Sequence, residues 1–458
     1  MRGFTAWVLA AVSLAAADDN IPLGERTQQY LIDLVRLDTS NPWGHETRIA
    51  EYLKQVADSH AIPCEMLGPD PRRLNFVARI KGSGKLRPLL LMAHSDVVPV
   101  DRSQWTVDPF KAETKNGFIY GRGAVDDKSL LAAELAVMVE IKRRNIKLNR
   151  DIILLSEADE EAGSTGIQWL TTSAWSKIDS EFALNEGGFI LAVDGGHQVF
   201  QVQTAEKIPT RILLTAHGTA GHASLPRPDN PIVRLSRAIV RLADADQPVR
   251  LNPTTRRYFR EISKLPDYAW LAPIVPKLEN PATASAAANQ IRARDPELDA
   301  MLRTSVSPTM LRAGMKVNVI PNTAEAQFDV RRLSNETREE ILTRFRQIIN
   351  DSSVDVALAP GQPMPATEPS SLTTSLYKAI EKVVSAHPED TVLPYMSRGA
   401  TDGSYLRAKG VAVYGVPLFV KDSPEAKVHG NDERISTATL EEGVELLWRT
   451  VLEVAVQQ

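Results

Sequence analysis

The stretch Pro88-Leu89-Leu90-Leu91-Met92-Ala93, followed directly by His94-Ser95-Asp96, decides the fold of this 458-residue chain. A continuous apolar run of this length predicts a strand buried on both faces, which is typical of a parallel sheet. Similar apolar runs occur at residues 152–155, 182–184 and 411–414, and helical patterns such as residues 128–144 separate them. Strands that alternate with helices predict an α/β fold with a doubly wound, mainly parallel sheet.

The pattern changes near residue 206, which predicts a second domain. Strand-like and helical segments then alternate, at residues 210–216, 232–242, 323–331, 336–349 and 354–356. This order predicts a smaller α+β domain over residues 207–360, inserted into a catalytic domain formed by residues 18–206 and 361–458. Residues 253–312 are rich in Ala, Pro, Arg and Leu. We expect them to form an extra helical insertion.

Composition places the chain among ordinary globular proteins, with 43% hydrophobic and 24% charged residues. The net charge of -4 and the absence of a long basic run give no reason to expect a nucleic-acid partner. Residues 1–17 combine Arg2, an apolar run and three alanines before Asp18, which is the form of a secretory signal peptide. We therefore expect an exported protein, periplasmic or secreted, with no stable membrane span after cleavage. The alternative is a retained N-terminal anchor.

Histidines and carboxylates follow the predicted strands. His94 follows the strand at residues 88–93, and Asp96 comes two residues later. The acid-rich run Ser156-Glu157-Ala158-Asp159-Glu160-Glu161 follows residues 152–155, Glu186 follows residues 182–184, and His429 comes after residues 411–414. Because ligands gather at the carboxyl ends of parallel strands, we expect these side chains to meet at one edge of the sheet.

A pair of aspartates completes the pattern. Asp126 and Asp127 lie in Tyr120-Gly121-Arg122-Gly123-Ala124-Val125-Asp126-Asp127-Lys128, directly before a predicted helix. Capping of the helix N-terminus would explain one of them. Four acids within residues 157–161 would repel one another unless a cation lay among them. Two histidines with three acids suit two zinc ions bridged by one carboxylate, so the joint pattern predicts a dinuclear hydrolase.

From about residue 23 onward these motifs resemble, in order, a family of zinc metallopeptidases and deacylases. That family includes aminoacylases, acetylornithine deacetylase, succinyl-diaminopimelate desuccinylase and glutamate carboxypeptidases. The resemblance implies two zinc ions, which Co²⁺ or Mn²⁺ could replace, and five metal ligands: His94, Asp126, Glu161, Glu186 and His429. It also implies that Asp126 bridges the two metals, that the peptide between Asp126 and Asp127 is cis, that Asp96 orients His94, and that Glu160 is the general base.

Four further segments resemble family segments that meet the substrate. In Thr219-Ala220-Gly221-His222-Ala223-Ser224, His222 would contact the oxyanion, and in dimeric members it reaches across from the partner subunit. In Lys316-Val317-Asn318-Val319-Ile320-Pro321, Asn318 would contact the substrate. In Phe328-Asp329-Val330-Arg331, Arg331 would bind the substrate's free carboxylate through two parallel hydrogen bonds. Thr401-Asp402-Gly403-Ser404 resembles a turn of the substrate pocket, with Gly403 as the contact. Loop turns and surface charges are the alternative explanation.

The expected reaction is metal-dependent hydrolysis of an amide next to a free carboxylate. The substrate would be a short peptide, as for a carboxypeptidase or dipeptidase, or an N-acyl amino acid, as for an aminoacylase. Zinc lowers the pKa of a bound water from 15.7 towards about 7, so that Glu160 can take its proton. Residues 120–128 and 185–190 look closest to Gly-X carboxypeptidases and N-fatty-acyl amino acid hydrolases.

The resemblance also implies a homodimer through the inserted domain. Two other functions fit a dinuclear site. One is a metal-dependent phosphoesterase, and the other is a metal-bound binding protein that has lost catalysis.

Overall fold

The computed structural model describes residues 21–193, 197–361, 363–418 and 426–456. The described residues form two compact units, the first made of those within residues 21–204, 370–394 and 401–456, the second of those within residues 205–369 and Tyr395–Ala400. The predicted signal peptide, residues 1–17, lies outside the described residues, and export stays a prediction. Within the described ranges, every helix is too short or too polar to cross a membrane.

A nine-stranded sheet, parallel at its centre, organises the first unit. Leu89–His94 pairs in parallel with Ile152–Glu157 on one side and with Phe182–Asn185 on the other, and Phe182–Asn185 pairs in parallel with Ala412–Gly415. The strand order is Cys64–Leu67, Asn75–Ile80, Ile152–Glu157, Leu89–His94, Phe182–Asn185, Ala412–Gly415, Gln198–Glu206, Thr391–Ser397, with Phe189–Ala192 paired to Gln198–Glu206. The predicted parallel centre is thus confirmed.

Side chains of the central strands alternate between two apolar cores. Leu89 and Leu91 belong to one core, and Leu90 and Met92 belong to the other. The first core includes residues of the helices Leu23–Val35, Thr47–Ser59, Lys128–Arg143, Ser375–Val384 and Thr437–Ala455. The second includes residues of the helices Thr165–Ser173, Trp175–Ile178 and Gly403–Ala408. Because helices cover both faces, the strands are apolar throughout, and the doubly wound α/β prediction is confirmed.

A small three-stranded sheet joins two distant loops of the first unit. Arg434–Ser436 pairs antiparallel with Phe118–Tyr120, which also pairs with Glu113–Lys115. The first of these pairings brings Arg122 within hydrogen-bond reach of Glu433, although 311 positions separate them along the chain. A 3₁₀ turn, Arg102–Gln104, precedes this sheet in the sequence.

A four-stranded antiparallel sheet forms the centre of the second unit. Its order is Ser305–Ala313, Thr323–Arg332, Ile208–His217, Val354–Leu358. The helices Pro231–Asp244 and Arg338–Ile349 share an apolar core with the sheet, in which the rings of Phe328 and Phe345 meet edge to face at 6.5 Å. A two-residue pairing joins Gly221–His222 to Val319–Ile320.

The predicted helical insertion at residues 253–312 is wrong at its end. Helices and a 3₁₀ turn occupy Pro253–Ile262, Pro266–Leu271, Val275–Leu278, Ala284–Arg294 and Pro296–Ala300. Ser305–Ala313 is instead an edge strand, exposed from Ser307 onward and with an irregular register between Pro308 and Met310. An edge strand that buries so few side chains shows no alternation of apolar and polar residues. Its proline also disfavours a strand assignment, so the sequence pattern did not predict this strand.

The segment Tyr395–Ala400 also differs from the predicted boundaries. It belongs to the second unit rather than to the second part of the catalytic domain. The ring of Tyr395 packs against that of Tyr258 at 6.0 Å, and the amide of Lys207 donates to the carbonyl of Ser397 at 3.0 Å. These contacts, which no local pattern indicates, assign the segment to the second unit.

Candidate metal and catalytic site

Asp126 lies between two histidines and turns one carboxylate oxygen toward each. His94 Nε2 is 2.9 Å from Asp126 Oδ1, and His429 Nε2 is 3.1 Å from Asp126 Oδ2. His429 Nε2 is also 2.7 Å from Glu161 Oε1. The peptide between Asp126 and Asp127 is cis, as the resemblance implies. This arrangement is the one that a bridging carboxylate requires.

Glu160 and Glu186 form a second group with His94. The ligand atoms of these three residues lie within 4.8 Å of one another, as do those of His94, Asp126 and Glu161. His94 therefore belongs to two overlapping groups of metal-binding side chains. The structure brings together in one cluster all the residues predicted as metal ligands or general base: His94, Asp126, Glu160, Glu161, Glu186 and His429.

The electrostatics of the two histidines fit a cation site. Burial opposes a charge on His94, but the hydrogen bond to Asp126 and the nearby carboxylates of Asp96 and Glu186 outweigh it and hold the pKa of His94 well above its ordinary value. Hydrogen bonds to Asp126 and Glu161 raise the pKa of His429 to about 10. Imidazole nitrogens and carboxylate oxygens are ligands of zinc and related metals. The carboxylates that favour a proton on each ring would equally favour a metal ion in its place.

The crowded carboxylates point the same way. Burial, with repulsion from Asp126 and other acids, raises the pKa of Glu186 to about 8. Burial, with repulsion from Glu186 and Asp402, raises the pKa of Glu160 well above its ordinary value. Buried carboxylates this close cannot all ionise unless a cation lies among them. The residues present therefore fit a metal site.

We expected the carboxylate of Asp96 to orient the ring of His94, but the backbone of Asp96 does so instead. The backbone carbonyl of Asp96 accepts from His94 Nδ1 at 3.0 Å, whereas its nearer carboxylate oxygen lies 3.6 Å from that nitrogen, too far for a hydrogen bond. The carboxylate accepts instead from the backbone amides of Glu160 at 3.0 Å and Glu161 at 3.1 Å, and from Asn41 Nδ2 at 2.6 Å. Asp96 thus orients the ring through its backbone and the acidic residues through its side chain.

Arg122 and Glu433, to which the sequence assigned no role, hold two of the ligand loops. Glu433 is fully buried, pairs with Arg122 and accepts from the backbone amide of Asp126 at 3.1 Å. Arg122 also donates to the carbonyl of His429 at 3.3 Å. Arg122 lies in the glycine-rich segment at residues 120–128, and Glu433 lies in the polar segment that follows His429. Charged side chains in such segments are usually solvated, so only the contact between the two residues identifies them.

His429 was expected at the end of a central strand, and this is wrong. The strand is Ala412–Gly415, and His429 lies on a later loop with a left-handed φ of 58°. Its position depends on Arg122 and on the nearby strand Arg434–Ser436 rather than on the central sheet.

The helix-capping alternative for the aspartate pair also fails. Asp127 stands at the N-cap of Lys128–Arg143, but its side chain makes no capping hydrogen bond. Lys128 is buried, donates to the carbonyl of Leu37 at 2.8 Å, and has its pKa lowered to about 7 by burial. The pair therefore belongs to the site rather than to the helix end.

A cavity of about 270 Å³ adjoins the cluster. Asp126, Asp127 and Glu186 line its polar side. Apolar side chains line much of the rest, among them Val125, Leu130, Phe189, Val416 and Val428. A molecule bound there would present one end to the carboxylates and rest its apolar part on these side chains.

In the second unit, His222 and Asn318 are neighbours. The amide of Ala223 donates to the carbonyl of Asn318 at 3.0 Å, next to the pairing of Gly221–His222 with Val319–Ile320. His222 Nδ1 accepts from the backbone amide of Ser224 at 3.2 Å. The neutral ring therefore carries its proton on Nε2, the form needed to donate to an oxyanion.

Arg331 binds a carboxylate in the geometry predicted for it, but that carboxylate belongs to Asp329. Arg331 Nε and Nη2 lie 2.8 and 3.1 Å from its two oxygens. In the first unit, Gly403 is buried, and its amide donates to Thr401 Oγ1 at 3.2 Å. Substrate contacts at Arg331, Gly403 and Asn318 stay predictions.

Comparison with known proteins agrees with this geometry. A family described as Peptidase family M20/M25/M40 matches residues 90–453. The N-fatty-acyl-amino acid synthase/hydrolase PM20D1 of Homo sapiens is 29% identical over 389 residues, covering 83% of this chain and 76% of that protein. The probable succinyl-diaminopimelate desuccinylase of Staphylococcus aureus strain Mu50 is 28% identical over 422 residues, covering 90% of this chain and 95% of that protein.

Two solved structures share the fold. The M20 family metallo-carboxypeptidase Sso-CP2 of Sulfolobus solfataricus matches with a TM-score of 0.70 at 20% identity, covering 93% of this chain and 98% of that chain. Human carnosine dipeptidase 1 matches with a TM-score of 0.64 at 16% identity, covering 98% and 99%. With most of the sequence matched and the metal-binding cluster assembled, the chain belongs to peptidase family M20/M25/M40 and is a metal-dependent hydrolase of amide bonds.

Proposed function

We propose that this protein uses two zinc ions to hydrolyse N-acyl amino acids with an apolar acyl group. The apolar cavity beside Asp126 and Glu186 carries this proposal, because it places apolar surface against the metal-binding carboxylates. The similarity to an N-fatty-acyl-amino acid synthase/hydrolase supports it. Short peptides are the second candidate substrate, supported by the fold shared with a carboxypeptidase and a dipeptidase.

The protein's own residues divide the reaction between them. His94, Glu161, Glu186 and His429 would hold the metals, with Asp126 between them. Bound zinc supplies a water of lowered pKa and polarises the amide carbonyl. Glu160 takes a proton from the attacking water and passes it to the leaving amine as the C–N bond breaks. Burial raises the pKa of the Glu160 carboxyl, which makes it a stronger base than an exposed glutamate.

Glu160→Gln should retain bound metal and lower kcat by roughly 10²–10⁴-fold, because it removes the base and keeps the ligands. Metal analysis of the purified variant and steady-state turnover of N-acyl amino acids measure both quantities. Glu161→Gln is the matched control and should lose metal. Loss of metal from Glu160→Gln would show that the roles of these two glutamates are exchanged.

The cavity predicts a preference for long acyl groups. Val428→Asp should lower kcat/KM for an N-dodecanoyl amino acid by about tenfold or more and change that for the N-acetyl analogue much less, because it adds a charge to the cavity wall. Leu86→Asp, at an exposed leucine outside the cavity, is the control and should change neither. A wild-type enzyme that cleaves dipeptides well and N-dodecanoyl amino acids poorly would favour the peptide substrate instead.

Arg331→Ala should raise KM for substrates with a free carboxylate and leave kcat nearly unchanged, because the lost hydrogen bonds serve binding. Initial rates on an N-acyl amino acid and on its amide, which lacks the carboxylate, provide the comparison. An equal effect on both substrates would remove Arg331 from this role and leave it as the ion-pair partner of Asp329.

We also propose a homodimer through the second unit. The edge strand Ser305–Ala313 exposes Met310 and Leu311, the latter 69% exposed, and the helix Pro231–Asp244 exposes Ile232 and Val240. An edge strand with exposed apolar side chains is a template for pairing with a second copy of itself.

Leu311→Lys should convert the dimer to a monomer, since it would place two charges at the shared edge. Light scattering after size-exclusion chromatography measures the mass, with Leu86→Lys in the first unit as the control. A monomeric wild-type protein at micromolar concentration would refute the dimer.

A further inference from the structure

An arginine outside the metal cluster holds the acidic loop, Asp159-Glu160-Glu161. Arg73 Nη1 lies 2.7 Å from Asp159 Oδ1, in an ion pair. Arg73 Nη2 donates to Asn41 Oδ1 at 2.8 Å, and its Nε donates to Glu46 Oε1 at 3.0 Å. Glu46 is fully buried, and the Arg73 side chain is 16% exposed. The guanidinium thus has three partners in fixed directions.

The first route from Arg73 to the acidic loop runs through Asp159. This residue has a left-handed φ of 69°, a conformation that disfavours residues with a Cβ atom. Arg73 holds one of its carboxylate oxygens, and Thr165 Oγ1 donates to the other at 2.5 Å. The carbonyl of Asp159 accepts from the amide of Gly163 at 3.1 Å. These contacts fix the backbone directly before Glu160.

The second route runs through Asn41 and Asp96. Because Asn41 accepts from Arg73 on its oxygen, its nitrogen must face the other way, where it donates to Asp96 Oδ2 at 2.6 Å. The same Asp96 carboxylate accepts the backbone amides of Glu160 and Glu161. Two chains of contacts therefore lead from Arg73 to the acidic loop, one to the backbone before Glu160 and one to the amides of Glu160 and Glu161.

We infer that Arg73 is a positioning residue for this site, one that sets where Glu160 and Glu161 lie relative to the bound metals. The inference rests on the roles proposed for those two glutamates. Lysine would keep the charge beside Glu46 but could not serve three partners with a planar fork. A residue needed only to neutralise Glu46 would tolerate that exchange, whereas a positioning residue would not.

Two variants test the inference in the full-length enzyme. Arg73→Lys keeps the charge and removes the fork. Asp159→Gly removes the anchored carboxylate at a position whose φ glycine adopts readily, and it leaves the pair between Arg73 and Glu46 intact. Arg72→Ala is the matched control, because Arg72 is 62% exposed and pairs with Asp70 outside these routes.

Both test variants should fold, as circular dichroism and thermal unfolding will report. We expect kcat to fall at least tenfold with KM nearly unchanged. We also expect one of two Co²⁺ ions to bind at least tenfold more weakly in a titration followed by visible absorption, because Glu161 is displaced. Arg72→Ala should match the wild type in both measurements.

Wild-type kcat and Co²⁺ affinity in both variants would overturn the inference. If Arg73→Lys does not fold, Asp159→Gly decides alone, and wild-type values in it have the same meaning. A wild-type enzyme that binds Co²⁺ and cleaves no amide would defeat the proposed function instead. The Co²⁺ titration of the variants would still judge the role of Arg73.

Discussion

Repulsion among carboxylates at the carboxyl ends of the central strands is the constraint on which the rest of the structure depends. Asp126, Glu161 and Glu186 cluster around His94, with Glu160 beside them. Burial and mutual repulsion raise the pKa of Glu186 to about 8. Such a cluster is stable in its ionised form only around a cation, so metal binding and the local fold are coupled.

Arginines hold the loops that carry these acids. Arg122 and Glu433 join the loop of Asp126 to the loop of His429, and both side chains are buried. Arg73 plays the corresponding part for the acidic loop, through Asp159 and through Asn41. Guanidinium suits this use because its planar fork binds several acceptors in fixed directions at once. Buried charge pairs thus fix the backbone of the loops that carry Asp126, His429 and the acidic run at residues 159–161.

The residues that would select the substrate differ from those that would carry out the reaction. The clustered acids and histidines would serve equally for an acylated amino acid or a short peptide, since both present an amide to the same groups. The apolar cavity wall formed by Leu130, Phe189 and Val416 would distinguish the two under the proposed function, because it would favour binding of a substrate with an apolar acyl part. Arg331 would add selection for a carboxylate, in competition with Asp329.

The sequence by itself determined the strands, the helices around them and the identity of the clustered residues. Short apolar runs such as residues 88–93 favour strands buried on both faces, and the histidines and acids that follow such strands then meet at one edge of the sheet. That logic placed His94, Glu186 and the acidic run at residues 157–161 together, and the family resemblance singled out Glu160 and Glu161 within the run.

Only the tertiary structure decided which polar side chains fix the loops and which backbone atoms they hold. Glu433, Arg122 and Arg73 act through contacts between residues far apart in the chain, which no local spacing encodes. The carboxylate of Asp96 hydrogen-bonds to backbone amides of the acidic loop rather than to the His94 ring, and local spacing does not encode that contact either. The edge strand Ser305–Ala313 escaped prediction because it buries too little to leave a periodic pattern.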